Sequence, residues 1–226
     1  MKRIYYLLGL LFLVSGCATI STKPNILTME QVIISPSQYS TEKGKTLAIK
    51  YYRNLQNIFE NIRAKYTSAE IEFVSTKTLS DGSVLGGIAF FKSELDSEDN
   101  RYLGVVIGTS DIFNTLQTDF NKRASTVVSK YVRDILEIIS KEKEVLLDEK
   151  VTGIYIHISW WARDFLTSRY YGGKVEGISL QCSQEDCKKY LKLEISNQEF
   201  IDKSKITGWQ DNILLGKIEL DLKQIL

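Results

Sequence analysis

From Val151 to Trp161 the chain alternates strictly. Ile154, Ile156, Ile158 and Trp160 fall on one side, and Tyr155, His157, Ser159 and Trp161 on the other. A period of two is the signature of a β-strand with one flank packed and one flank left half-exposed. Such a strand requires a sheet covered by apolar elements on one face, and the chain offers two candidates for that cover. Leu47, Tyr51, Leu55, Ile58, Ile62 and Tyr66 recur at helical steps and predict one apolar stripe on a helix over roughly residues 43–66. Phe113, Leu116, Phe120, Ala124, Val127, Tyr131, Ile135 and Ile138 predict a second, with Ser110 as its cap. The steps of this second stripe repeat at about 3.67 residues per turn, close to an unstrained helix, so it suits packing straight across a sheet.

Further strands are expected around Ile71–Phe73, over Val84–Phe91, which is apolar on both faces and so reads as an inner strand, over Tyr102–Gly108, and over Ile213–Leu222. Ser80-Asp81-Gly82-Ser83 reads as a hairpin turn, because Asp-Gly tolerates positive φ at both central positions. Ser35-Pro36-Ser37-Gln38 has the order of a capping box, and short helical turns are expected near residues 162–170 and 198–204. This order is not a regular βαβ alternation. It predicts an α+β fold, a mostly antiparallel sheet with two main amphipathic helices packed on one face, forming a single domain over 35–226. At 43% hydrophobic and 25% charged, with 14 Gly and 2 Pro, the composition supports a well-developed core.

The first residues carry a different message. Lys2 and Arg3 precede an apolar run from Ile4 to Val14, too short for the about 20 residues that span a bilayer and of the right length for a cleavable signal. The run ends in Leu13-Val14-Ser15-Gly16-Cys17, which resembles the lipobox of bacterial lipoprotein precursors. That resemblance implies loss of residues 1–16, a diacylglyceryl group on the Cys17 thiol, and acylation of the new amine. Two or three acyl chains hold a protein to a membrane essentially permanently, where one does not. Residues 17–34 then form the lipidated cysteine and its tether. The stretch 18–25 alone spans at most roughly 26 Å. Ala18 stands where the lipoprotein class uses aspartate for retention at the inner membrane, so the resemblance points to the outer membrane with the domain in the periplasm. A Gram-positive source would instead place it on the outer face of the plasma membrane.

With Cys17 assigned to lipid, Cys182 and Cys187 remain as an even pair. Strand-like alternations on either side, Val175–Leu180 and Tyr190–Ile195, suggest a hairpin whose four-residue loop lets the two form a disulfide worth roughly 2 kcal/mol. A redox or metal-binding pair is the alternative, although the spacing is CxxxxC rather than CxxC.

Composition removes several chemistries. A single histidine forbids any site needing two imidazoles from this chain alone. Basic and acidic residues number 29 and 28, and the signal takes Lys2 and Arg3 with it, so the footprint of a nucleic-acid binder is missing. Gly108-Thr109-Ser110-Asp111-Ile112 fails as a nucleophile elbow at its last position. Ser40-Thr41-Glu42-Lys43 matches the S-x-x-K pairing and so resembles penicillin-binding enzymes, but the partner K-T-G and S-D-N motifs are missing. Glu94, Asp96, Glu98, Asp99 and Asn100 read as a solvated acidic loop rather than a calcium site, and Lys141–Glu144 as a solvated helix end. No metal and no cofactor are expected.

Tyr155, His157, Trp161 and Arg163 are the candidate ligand-binding residues, with Asp164, Tyr170 and Tyr171 close by. Flat aromatic area with polar tips suits a sugar or peptide, and equally describes a half-exposed strand face. The expected function is a non-catalytic interaction or assembly module, held near the outer membrane by its N-terminal lipid and docked on an envelope protein. The alternatives are a glycan or small-ligand binder using segment 155–171, and a lipid-anchored hydrolase with a site around His157 or Ser40.

Overall fold

The computed structural model describes residues 27–78, 84–92, 98–166, 173–211 and 213–222. A short helix, α1 (Met29–Val32), opens the described chain, and a 3-10 turn at Pro36–Gln38 stands where the capping box was expected. Val32, Ile33 and Ile34 are all buried, so the core begins before residue 35 and takes in the end of the expected tether.

The stripe over 43–66 is there, but on two helices, α2 (Glu42–Lys50) and α3 (Tyr52–Lys65). Thr41 caps α2, its hydroxyl accepting from the Gly44 N–H. The break falls at Tyr51 (φ −115°, ψ 20°), whose hydroxyl donates to Asp148 Oδ2 at 2.8 Å. Leu47, Tyr51, Leu55, Ile58 and Ile62 stay on one buried line across the break.

Strand β1 (Ile71–Phe73) follows, then the small antiparallel pair β2 (Lys77–Thr78) and β3 (Val84–Leu85). Asp81-Gly82, expected as a turn between them, lies outside the described residues. Next come β4 (Gly87–Lys92) and the long β5 (Arg101–Asn114). β4 is not an inner strand. Among the named strands it pairs only with β5; α2 and α3 pack against it, Phe91 lies against Tyr155, and Ile33 bridges to Ile88 along its other edge.

The second helix starts later than its stripe implied. Ser110 lies within β5, and Asp119 caps α4 (Phe120–Val127), accepting from the Lys122 N–H at 2.8 Å. A π-helical turn at Val128–Val132 leads into α5 (Arg133–Ser140) and then α6 (Lys143–Leu146). Glu142, expected in a solvated helix end, is buried and accepts from Asn54 Nδ2 at 2.8 Å.

The rest is β6 (Val151–Arg163), β7 (Lys174–Ser183), α7 (Gln184–Leu191), α8 (Asn197–Lys203), β8 (Lys205–Gln210) and β9 (Ile213–Lys217). No helical turn covers the start of 162–170, because β6 runs on to Arg163. β9 ends at Lys217, well short of Leu222.

These elements make an α+β fold. The seven-stranded sheet runs β1-β5-β6-β7-β8-β9, with β4 beside β1 on the same edge of β5. Every pairing is antiparallel except β5 with β6. A parallel pair needs a long crossover, and α4 to α6 supply it. One continuous core runs from Val32 to Leu222, with Trp160, Tyr131, Phe90 and Leu55 among its fully buried side chains.

Candidate functional site

The two flanks of β6 meet different neighbours. On the packed flank Trp160 lies against Phe113 and Phe120, and its indole N–H donates to Glu176 Oε2 at 3.1 Å. Arg123 of α4 closes on the same carboxylate with both arms, at 2.8 and 2.7 Å, and also donates to the Thr118 carbonyl. Both charges are buried, so each depends on the other for compensation.

On the other flank, registry puts Ser179 of β7 directly opposite His157, and the chain's one imidazole is fixed through it. Ser179 Oγ lies 2.9 Å from His157 Nδ1, 3.0 Å from the Tyr155 hydroxyl and 2.8 Å from Trp209 Nε1, which donates to it. A hydroxyl has one proton and two lone pairs. Trp209 takes one lone pair, and of Tyr155 and His157 one donates and the other accepts. Ser179 is therefore saturated, and it is only 3% exposed. Burial pushes the His157 imidazolium pKa down to about 4, so the ring is neutral over the physiological range.

A serine 2.9 Å from a histidine invites comparison with a nucleophile and its base. Attack needs the oxygen open to a substrate carbonyl. Here that oxygen is enclosed and fully partnered, so the constellation acts as a pin through β6, β7 and β8. Ser179 and Trp209 were not anticipated from the sequence. The available signal was the period-two spacing of Ser179 within Lys174–Ser183, but nothing local fixes the register that brings it to His157.

Trp161 and Arg163 do not join Tyr155 and His157. Both are exposed, further along β6, and Arg163 lies over the Phe165 ring with 5.2 Å between its guanidinium carbon and the ring centre. None of the four candidate ligand-binding residues lines either of two grooves among the described residues. One, of about 390 Å³, lies between α3 and β1 and is lined by Leu27, Ile62, Arg63, Tyr66, Ile71 and Phe73 among others. The other, of about 150 Å³, lies between the π-helical turn and α8. Tyr170 and Tyr171 lie outside the described residues, as does Cys17.

The S-x-x-K pairing is not assembled. Ser40 is exposed ahead of the helix cap, and Lys43 Nζ donates to the Asp99 carbonyl at 2.7 Å. Asp99 belongs to a structural knot rather than a loop awaiting an ion. Its carboxylate accepts from Arg101 Nε at 2.6 Å and from the Thr41 hydroxyl at 2.9 Å, while the buried Arg101 also donates to the Phe90 carbonyl. Glu94 and Asp96 lie outside the described residues. Among the described residues no group of three or more His, Cys, Asp or Glu is placed to hold a metal ion.

The expected hairpin around Cys182 and Cys187 is replaced by a strand-to-helix turn. Residues 190–195 are the end of α7 and the turn after it, not a strand, and Cys187 sits in the first turns of that helix. The two cysteines are buried, within hydrogen-bonding reach of each other, and unbridged in this structure. Hydrogen bonding to Cys187 and burial push the Cys182 thiol well above its ordinary pKa. A reactive cysteine needs the opposite shift, so Cys182 is suited to packing.

No family model matches the chain, and no curated protein or solved structure matches it. Its chemistry rests on the residues alone. Among the described residues no helix is long and apolar enough to cross a membrane.

Proposed function

We propose that this protein is a lipid-anchored module of the bacterial cell envelope, held at the outer membrane through Cys17, which binds another envelope protein and performs no catalysis. The observation that carries the reading is the free edge of the sheet. β9 is the last strand in the order, and three consecutive side chains on it, Ile213, Leu214 and Leu215, are exposed at 66%, 40% and 50%. Exposed apolar side chains grouped on one element favour an interface.

The edge is guarded against open-ended strand addition. The β8–β9 register slips between Gly208 and Trp209, leaving Leu215 unpaired between Leu214 and Gly216, and Gly216 has a φ of +99°. Bulges of this kind and an edge lysine, here Lys217, discourage a second copy from adding on. A partner that reads the side chains, rather than one that extends the sheet, fits this edge.

Two measurements test the proposal. Intact mass of the purified chain should show Cys17 at the N-terminus with its acyl groups. A photo-crosslinking residue in place of Leu214 should then capture one discrete envelope protein in cells, while the same residue in place of the more exposed Leu193 captures none. The reading fails if Leu214 captures nothing and a folded Leu214→Asp variant keeps full cellular function.

A further inference from the structure

Five large apolar side chains are exposed together at the far ends of β5 and β6, three strands or more to the side of β9. Ile112 pairs with Trp161 on the uncovered flank of the sheet. Asn114 pairs with Arg163, and the Thr115 N–H donates to the Arg163 carbonyl at 3.0 Å, which brings the turn carrying Leu116 beside the one carrying Phe165 and Leu166. The five are exposed by between 47% and 80%, in a protein whose core is otherwise well closed. Arg163, lying over Phe165, is the cation of the group.

Position says what covers them. Leu27, the first described residue, lines the same groove as Thr67, Ser68 and Ile71. Ile71 pairs with Thr109, and the Ser110 N–H donates to the Glu70 carbonyl at 3.1 Å, two residues before Ile112. The root of the tether and the apolar end thus lie on the same side of the domain. From Cys17 to Leu27 the chain reaches at most about 33 Å even when fully extended, so a bilayer gripping Cys17 is within reach of this end.

We infer that the Ile112, Leu116, Trp161, Phe165 and Leu166 end rests in the interfacial layer of the membrane that holds Cys17, a second contact that orients the domain. The inference depends on the lipid anchor proposed above. Tryptophan is enriched in this layer, phenylalanine and leucine serve as the buried apolar side of interfacial elements, and an arginine beside them can keep its head among the phosphates while its stem lies against apolar surface. Acidic groups stand close by: Asp164, which accepts from the Leu166 N–H, Asp111, paired with Lys130, and Asp119, the α4 cap. The contact is therefore apolar burial, not attraction to anionic lipid. With β5 and β6 pointing at the bilayer, β9 lies three strands from β6, roughly 14 Å to the side at about 4.8 Å per strand, with its first residue, Ile213, at the same end of the sheet as Trp161.

The test uses the full lipidated chain in phosphatidylcholine vesicles. Fluorescence is read against a Trp161→Phe variant to isolate Trp161 from Trp160 and Trp209. The expected result is strong quenching of Trp161 by brominated phosphatidylcholine, weak quenching by aqueous acrylamide, no dependence on salt, and loss of the lipid quenching in Phe165→Asp. Vesicle flotation separates the two ideas. A chain that floats while Trp161 remains open to acrylamide overturns the inference and leaves the anchor standing; a chain that does not float overturns both. Shielding of Trp161 by added cell-wall glycan, without lipid quenching, overturns the membrane contact in favour of a glycan site.

Discussion

Trp160 and Trp161 are adjacent in sequence and opposite in circumstance, at 1% and 48% exposed. Trp160 is held by two aromatic rings and a buried carboxylate, itself clamped by Arg123. Trp161 has Ile112 and Val175 as strand neighbours and solvent beyond. The same contrast runs down the strand, isoleucines against Tyr155, His157 and Ser159. One flank serves the fold; the other is a surface whose middle is pinned and whose end is free. The contrast is broken most directly by removing Trp160. Trp160→Ala should cost about 3–5 kcal/mol, the range for truncating a buried aromatic, with the cavity and the weakened Glu176 contacts both contributing. Denaturant titration of the variant checks it, and a loss below about 1 kcal/mol would mean that the two flanks are not as unlike as the structure makes them.

The middle of the uncovered flank predicts a pH dependence. The folded chain holds His157 neutral down to about pH 4, whereas the unfolded chain takes up its proton near 6.5. Between those values the unfolded state binds more protons. Stability is therefore complete above 6.5 and falls as pH drops toward 4, with a slope approaching roughly 1.4 kcal/mol per pH unit. Asp148, held down to about 2 chiefly by its hydrogen bond from Lys50, contributes its own loss only below its ordinary value of 3.8. In His157→Gln the slope between 6.5 and 4.5 should flatten. Urea unfolding midpoints across that range measure it, and an unchanged slope would show that the imidazole is not sequestered by the Ser179 cluster.

What could be read from the sequence follows the range of the forces involved. Periodicity reports burial, so the alternation of β6 and the stripe through Leu47, Leu55 and Ile62 correctly identify buried positions. Periodicity does not report backbone continuity. The break at Tyr51 falls where a hydroxyl reaches Asp148, nearly a hundred residues away, and the late start of α4 where Asp119 caps its first turn while Ser110 stays in a strand. Cys182 and Cys187 show a further limit. A four-residue spacing fits a hairpin loop and a strand-to-helix turn equally well, and Ser183, capping α7, selects the second. At the candidate site, Tyr155, His157 and Trp161 were visible as one face, but a face becomes a cluster only through cross-strand register. That register brings Ser179 and Trp209 to His157 and leaves Trp161 and Arg163 outside.

The smallest expected effect is the most discriminating. Trp161→Ala removes a ring as large as that of Trp160 one residue away, yet it should shift stability by no more than about 0.5 kcal/mol, because the ring is half in water and no hydrogen bond of the core depends on it. Thermal melts of the two alanine variants, side by side, supply the check. A Trp161→Ala loss of several kcal/mol would place the ring in the core and remove it as a surface element. A near-zero loss, with release of the domain from the vesicle surface at intact Cys17, would show that a large aromatic is kept exposed on this flank for contact rather than for folding.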